Sequence, residues 1–168
     1  MPKIIENLEN RLIEEAMKQI REQGYGAVTI RSVAMSCGVG VGTVYNYFPS
    51  KDDLLAAFML QDWNSCMTVV KEVSQTAESP FLVLKAMHTQ IRYFIDRYQD
   101  IFQDQEARKG FSNSYTRYHS ILRSQLAEPI RKFYDSDFAA DFVAEAMLTW
   151  TLHGKPFDEL YGMLGKLQ

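Results

Sequence analysis

The chain is poor in the residues that carry metal and redox chemistry. Two cysteines and three histidines occur among 168 residues. Cys37 and Cys66 form no CxxC pair, so they read as reduced thiols rather than a disulfide framework. None of His88, His119 and His153 stands three or four residues from another His or Cys, the spacing of a helical zinc site. A Gly-x-Ser-x-Gly elbow, a phosphate loop and a dinucleotide fingerprint are also absent, so an enzyme reading has no residue to name and no cofactor or metal is expected. No apolar run approaches the roughly 20 residues that span a bilayer, and the opening MPKIIENLENRL is charged and amphipathic without a signal-peptide core. The expectation is a soluble, cytoplasmic protein. The basic excess of a general nucleic-acid binder is missing too, since the formal charge is −3.

What the chain has is apolar and helical. Hydrophobic residues make up 46% and aromatics 12%, enough to bury a core. Ile5, Leu8, Leu12, Ala16 and Ile20, widened by Ile13 and Met17, recur at three- and four-residue steps, which predicts an amphipathic helix over Pro2 to Gln23, ended by a left-handed Gly24. After Ser50, a capping residue followed by Asp52 and Asp53, helical spacing continues through Leu54, Leu55, Phe58, Met59, Asp62, Cys66, Val69 and Val73 to about Ser74. The polar stretch from Ser74 to Pro80 is the expected domain boundary. Further helical patterns cover Phe81 to Tyr98, Asp100 to Arg108, Asn113 to Tyr134, Ser136 to His153 and Pro156 to Leu167, with Gly110 and Gly154-Lys155-Pro156 as stops and Pro129 as a kink. No strand pattern competes.

The segment from Gly24 to Leu55 is the most specific. Thr29 is placed to cap a short helix through Ile30, Val33 and Ala34; Cys37-Gly38-Val39-Gly40 reads as a turn; and a second helix is expected from Val41 to Phe48, ended by Pro49. At 100° per residue, Val41, Val44, Tyr45 and Phe48 share one side, and Gly42, Thr43, Asn46 and Tyr47 the other. That second face is slim and rich in hydrogen-bonding groups, as a helix entering a DNA major groove requires. Between Gly24 and Ser50 there is one cation, Arg31, and no acid, with Lys51 immediately after.

These residues resemble the TetR-type (TetR/AcrR) transcriptional regulators. The shared pattern is Ala16, Gly24-Tyr25, Thr29, Val33-Ala34 and the run Gly38-Val39-Gly40-Val41-Gly42-Thr43-Val44-Tyr45-Asn46-Tyr47-Phe48-Pro49-Ser50-Lys51-Asp52-Asp53-Leu54. Gly40 stands where the family usually has a capping serine, and Cys37 where alanine is usual. The resemblance implies an all-α fold of about nine helices: a three-helix helix-turn-helix DNA-binding domain over residues 1–50, a connecting helix over 51–74, and a helical ligand-binding and dimerisation domain over 75–168. It implies a ligand-responsive regulator, a homodimeric repressor on a palindromic operator of double-stranded DNA, released by a small apolar or aromatic effector. A helical architectural or interaction protein that keeps the fold without regulating a promoter is the alternative.

Site expectations follow from the residues and the resemblance together. Thr29, Arg31, Tyr45, Tyr47 and Lys51 are assigned to phosphates; Gly42, Thr43 and Asn46, with Val41 at the groove edge, are assigned to bases. Lys3 is at most a minor phosphate contact. Aromatics of the second domain, Tyr93, Phe102, Phe111, Tyr115, Tyr118 and Trp150, with His88 and Arg92, are candidates for an effector pocket. Phe138, Phe142, Met147, Trp150, Phe157, Leu160, Tyr161 and Leu164 form two apolar stripes with small residues between them, candidates for a homodimer interface.

Overall fold

A computed structural model describes the backbone of residues 7–112 and 115–165, and the side chains of these except 110–117. The expected roles of Pro2, Lys3 and Ile5 lie outside the described residues. Among those described, every regular element is helical, ten α-helices and two 3-10 turns.

Helix α1, Leu8–Gln23, buries Leu8, Leu12, Ile13, Ala16, Met17 and Ile20, the expected stripe. It starts later than Pro2 because Asn7, at φ 60° and ψ 28°, is left-handed and cannot continue a helix. Gly24 has a positive φ of 83° but an extended ψ of 159°, so it turns the chain out of α1 without the expected left-handed cap geometry. Its N–H still bonds the Ile20 carbonyl. A 3-10 turn at Tyr25–Ala27 follows, then α2, Ile30–Cys37, and α3, Val41–Tyr45. Between the last two, Gly38 is left-handed at φ 68°, and the Val39 N–H reaches the Ala34 carbonyl at 3.0 Å. Helix α3 is shorter than the expected Val41 to Phe48. Its last carbonyls are closed by mixed bonds from Tyr47 and Phe48 N–H to Val44 O, and Phe48 has left the helix before Pro49.

Helix α4, Lys51–Thr76, begins at Ser50, whose Oγ accepts the Asp53 N–H at 3.1 Å. Next come α5, Pro80–Arg97, and, in place of the one helix expected over Asp100 to Arg108, two: α6, Gln99–Gln103, and α7, Gln105–Ser112. The break is made by Asp104, whose Oδ1 accepts the N–H groups of Glu106 and Ala107 at 2.9 Å each and so starts α7. Gly110 lies within α7 and stops nothing. Helix α8, Tyr115–Ala127, gives way to a 3-10 turn at Glu128–Phe133 where Pro129 removes a backbone donor. Helix α9, Asp137–Leu152, is capped by Ser136 Oγ on the Ala139 N–H, and α10, Phe157–Leu164, follows Pro156.

The chain packs as two compact units. The first comprises the described residues up to Gln61 together with Asp100–Ser112; the second comprises residues 62–99 and the described residues after 112. In the first unit α2 packs on α1 and α3, and α7 packs on the 3-10 turn at Tyr25–Ala27. In the second, α9 touches α5, α8, α10 and the 3-10 turn at Glu128–Phe133. Its inner side, Ala140, Val143, Ala144, Met147, Leu148 and Thr151, is buried. No described helix is long and apolar enough to cross a membrane.

Candidate nucleic-acid interface

The helix-turn-helix is held by its caps and by two apolar anchors. The Thr29 hydroxyl accepts the Ser32 N–H at 3.0 Å while Ser32 Oγ accepts the Thr29 N–H at 3.1 Å, a reciprocal capping box that starts α2. Ser32 Oγ also donates to Gln19 Oε1 at 2.6 Å, and Gln19 Nε2 donates to Ser36 Oγ and Glu15 Oε1. Gln19 is thereby buried on α1 with its amide satisfied. Val44 and Phe48 are buried and seat α3.

The remaining residues of α3 and of the turn that follows it at Asn46 and Tyr47 point away from the core. Gly42, Asn46, Tyr45 and Tyr47 are exposed, and Val41 and Thr43 are half-buried. Tyr45 departs from its position on the helical wheel: it is 53% exposed rather than on the core side. The reason is the brevity of α3, which only Val44 and Phe48 tether, so a ring 100° from Val44 swings outward. A Cβ built on Gly42 would meet nothing within 4 Å. The fold leaves that position open. Thr29 and Arg31 are exposed at the start of α2, and although the Thr29 oxygen is used in the cap, its own O–H stays available to donate. Met35, exposed on α2, carries no sequence signal that separates it from the core positions of its helix.

Lys51 is more committed than a lone surface cation. Its Nζ donates to the Tyr25 carbonyl at 3.2 Å, lies 4.1 Å from the Tyr25 ring centroid, and is 4.0 Å from Glu106 Oε2 of α7. Tyr25 is buried, and its hydroxyl donates to Asp52. Burial, and then the neighbouring Asp53, push the Asp52 carboxyl above the ordinary carboxylate range. Cys37 is buried and its thiol likewise raised, first by burial and then by Glu15, the condition of an inert packing residue. The involvement of α7 in this unit is what sequence reasoning missed, because Glu106 lies far along the chain from Lys51 and no local pattern links them.

Residues 12–58 match the family model described as bacterial regulatory proteins, tetR family. That match covers the segment from α1 to the start of α4. It is 41% identical over 54 residues to the HTH-type transcriptional regulator HbdR of an Aromatoleum species, covering 32% of this chain and 24% of that protein. It is 32% identical over 81 residues to an HTH-type transcriptional regulator of Staphylococcus aureus, covering 48% of this chain and 43% of the relative. These matches therefore span less than half the length of the curated relatives. Among solved structures, the Thermus thermophilus FadR, a TetR-family repressor in complex with lauroyl-CoA, superposes with a TM-score of 0.66 over 95% of this chain and 92% of its own at 20% identity, a likeness of fold.

The candidates in the rest of the chain are dispersed. Phe102 and Phe111 belong to the first unit and the others to the second. The side chains of Phe111 and Tyr115 lie outside the described residues. His88 Nε2 contacts the Lys155 carbonyl at 2.9 Å and its ring packs against Phe157; Arg92 pairs with Asp96. Tyr93 and Trp150 face solvent and Tyr118 is half-buried. Tyr93 is outward because the inner face of α5 is Val83, Leu84, Met87, Ile91 and Phe94. Behind that face Trp63 is buried edge-on to Phe94 at 5.3 Å, and Tyr98 OH donates to Asp62 Oδ2 at 2.8 Å. Of the interface candidates, Phe138, Phe142 and Trp150 are 78%, 52% and 50% exposed on the outer side of α9. Met147, Leu160 and Leu164 are instead core of the second unit, and Phe157 and Tyr161 are half-buried against Phe81. Among the described residues no group of three or more His, Cys, Asp or Glu is placed to hold a metal ion.

Proposed function

We propose that this chain is a TetR-type regulator: a cytoplasmic, ligand-responsive, non-enzymatic transcription factor that binds operator DNA as a homodimer and represses until a small apolar or aromatic molecule releases it. The observation that carries the reading is the outward side of α3 and of the turn after it: Gly42 and Thr43 on the helix and Asn46 just past its end, flanked by two exposed tyrosines, with Val44 and Phe48 anchoring the segment from behind. Gly42, Thr43, Asn46 and Val41 would meet base edges; Thr29, Arg31, Tyr45, Tyr47 and Lys51 would hold phosphates. Asn46 is the principal reader, since its amide both donates to and accepts from adenine.

Two further observations support the finer parts. Opposite its buried side, and beside the acidic residues Asp137, Asp141 and Glu145, helix α9 exposes the large aromatics Phe138, Phe142 and Trp150, which a second copy would cover. The Thermus thermophilus neighbour holds lauroyl-CoA, which supports an apolar effector for a domain of this fold.

Footprinting on the DNA beside the protein's own gene tests the reading, with protection of a short inverted repeat as the expected result. On that repeat, Asn46→Ala should cost about 1–3 kcal/mol and blur the base preference at one position of each half-site. Lys51→Ala should weaken binding to all duplexes alike and flatten its salt dependence. Equal loss from both substitutions on every sequence would show that the roles are wrongly divided.

A further inference from the structure

We propose that Glu106 on α7 acts as an electrostatic brake on DNA binding, competing with the DNA backbone for Lys51. The inference rests on reading Lys51 as a phosphate contact. Lys51 Nζ is fixed by the Tyr25 carbonyl and ring, and its side chain is only 28% exposed; Glu106 Oε2, 4.0 Å away, belongs to a side chain that is 70% exposed. The lysine is thus held in place while the carboxylate stands in water beside it.

Two features put the carboxylate there. Asp104 caps α7 through the Glu106 and Ala107 N–H groups. Ala107 is fully buried, which seats the helix, and α7 packs on the 3-10 turn at Tyr25–Ala27. An exposed ion pair of this kind adds little to stability. Its effect is felt when a phosphate approaches Lys51, because the arriving negative charge meets a fixed one of the same sign. At separations of several ångströms in a water-like dielectric that repulsion weakens binding roughly threefold. It is independent of base sequence, as every phosphate contact is.

The test measures fluorescence anisotropy of a labelled duplex of arbitrary sequence, at several salt concentrations, with the full chain and its variants. Glu106→Gln should tighten binding roughly threefold and steepen the fall of affinity with salt; Glu106→Lys should go further in both. In a Lys51→Ala background Glu106→Gln should recover little of that gain. An unchanged affinity for Glu106→Gln and Glu106→Lys, with the wild-type chain binding normally, would overturn the brake alone. So would a gain that persists in full without Lys51, which would mark a general charge effect. Failure of the wild-type chain to bind any duplex would overturn the DNA-binding reading and the brake with it. Circular dichroism of each variant verifies that the helices are intact.

Discussion

Thr29 shows how much a single residue can settle. Its position before Ile30 and Val33 announced the start of α2, and the cap is there, made reciprocal by Ser32. Thr29→Ala should lower the unfolding free energy by about 1 kcal/mol in urea titrations, and Thr29→Ser should keep most of it. Caps are legible because donor and acceptor lie three residues apart. The partner of Ser32 is not: Gln19 sits on the apolar stripe of α1, thirteen residues earlier, and a polar residue three positions after Ala16 on that stripe was the only signal of a buried amide. Tyr45 failed the wheel for a different reason. Periodicity assumes a helix long enough for neighbours to hold every side chain of a face, and α3 runs only Val41–Tyr45.

At the scale of elements, the existence and kind of the helices followed from spacing, whereas their ends were decided by individual groups. Asp104 divided one expected helix into two, and Gly110 remained inside α7, since a glycine costs a helix only about 1 kcal/mol unless the backbone needs a positive φ. The join between α4 and α5 depends on Asp62, which receives Arg97 Nε at 2.5 Å and the Tyr98 hydroxyl at 2.8 Å within the second unit. Burial, and then the bond and charge of Asp62, hold the Tyr98 phenol well above its ordinary value of 10. The unfolded phenol ionises near pH 10 while the folded one stays protonated. Its contribution is therefore complete below pH 10 and is lost as pH rises from there through the raised folded value. Wild-type stability should fall in that alkaline window, and the fall should be shallower in Tyr98→Phe, which also starts about 1 kcal/mol lower at neutral pH for the lost hydrogen bond; denaturant midpoints across the alkaline range measure both.

For the molecule as a whole, the sequence could count apolar residues on α9 and α10 but could not divide them between an inner and an outer side. Met147, Leu160 and Leu164 went to the core, and Phe138, Phe142 and Trp150 to the surface. Which side of a helix with apolar residues on more than one face turns inward is fixed by the neighbours α5, α8 and α10, not by its own pattern. Phe142→Glu combined with Trp150→Glu should shift sedimentation velocity to the monomer while leaving helicity intact. A sedimentation coefficient equal to that of the wild type would rule out the outer side of α9 as the dimer contact.

The return of Asp100–Ser112 to the first unit changes how the protein can be taken apart. A family match over residues 12–58 invites a fragment cut soon after it. Such a fragment would keep α1, α2 and α3 but lose α7, and with it the cover on the 3-10 turn at Tyr25–Ala27 and the carboxylate beside Lys51. The first unit is therefore discontinuous: its last piece is made only after residues 62–99 of the second unit have been translated. An excised N-terminal fragment and the intact chain are different molecules at their shared surface, the former more cationic around Lys51 and less complete around Tyr25.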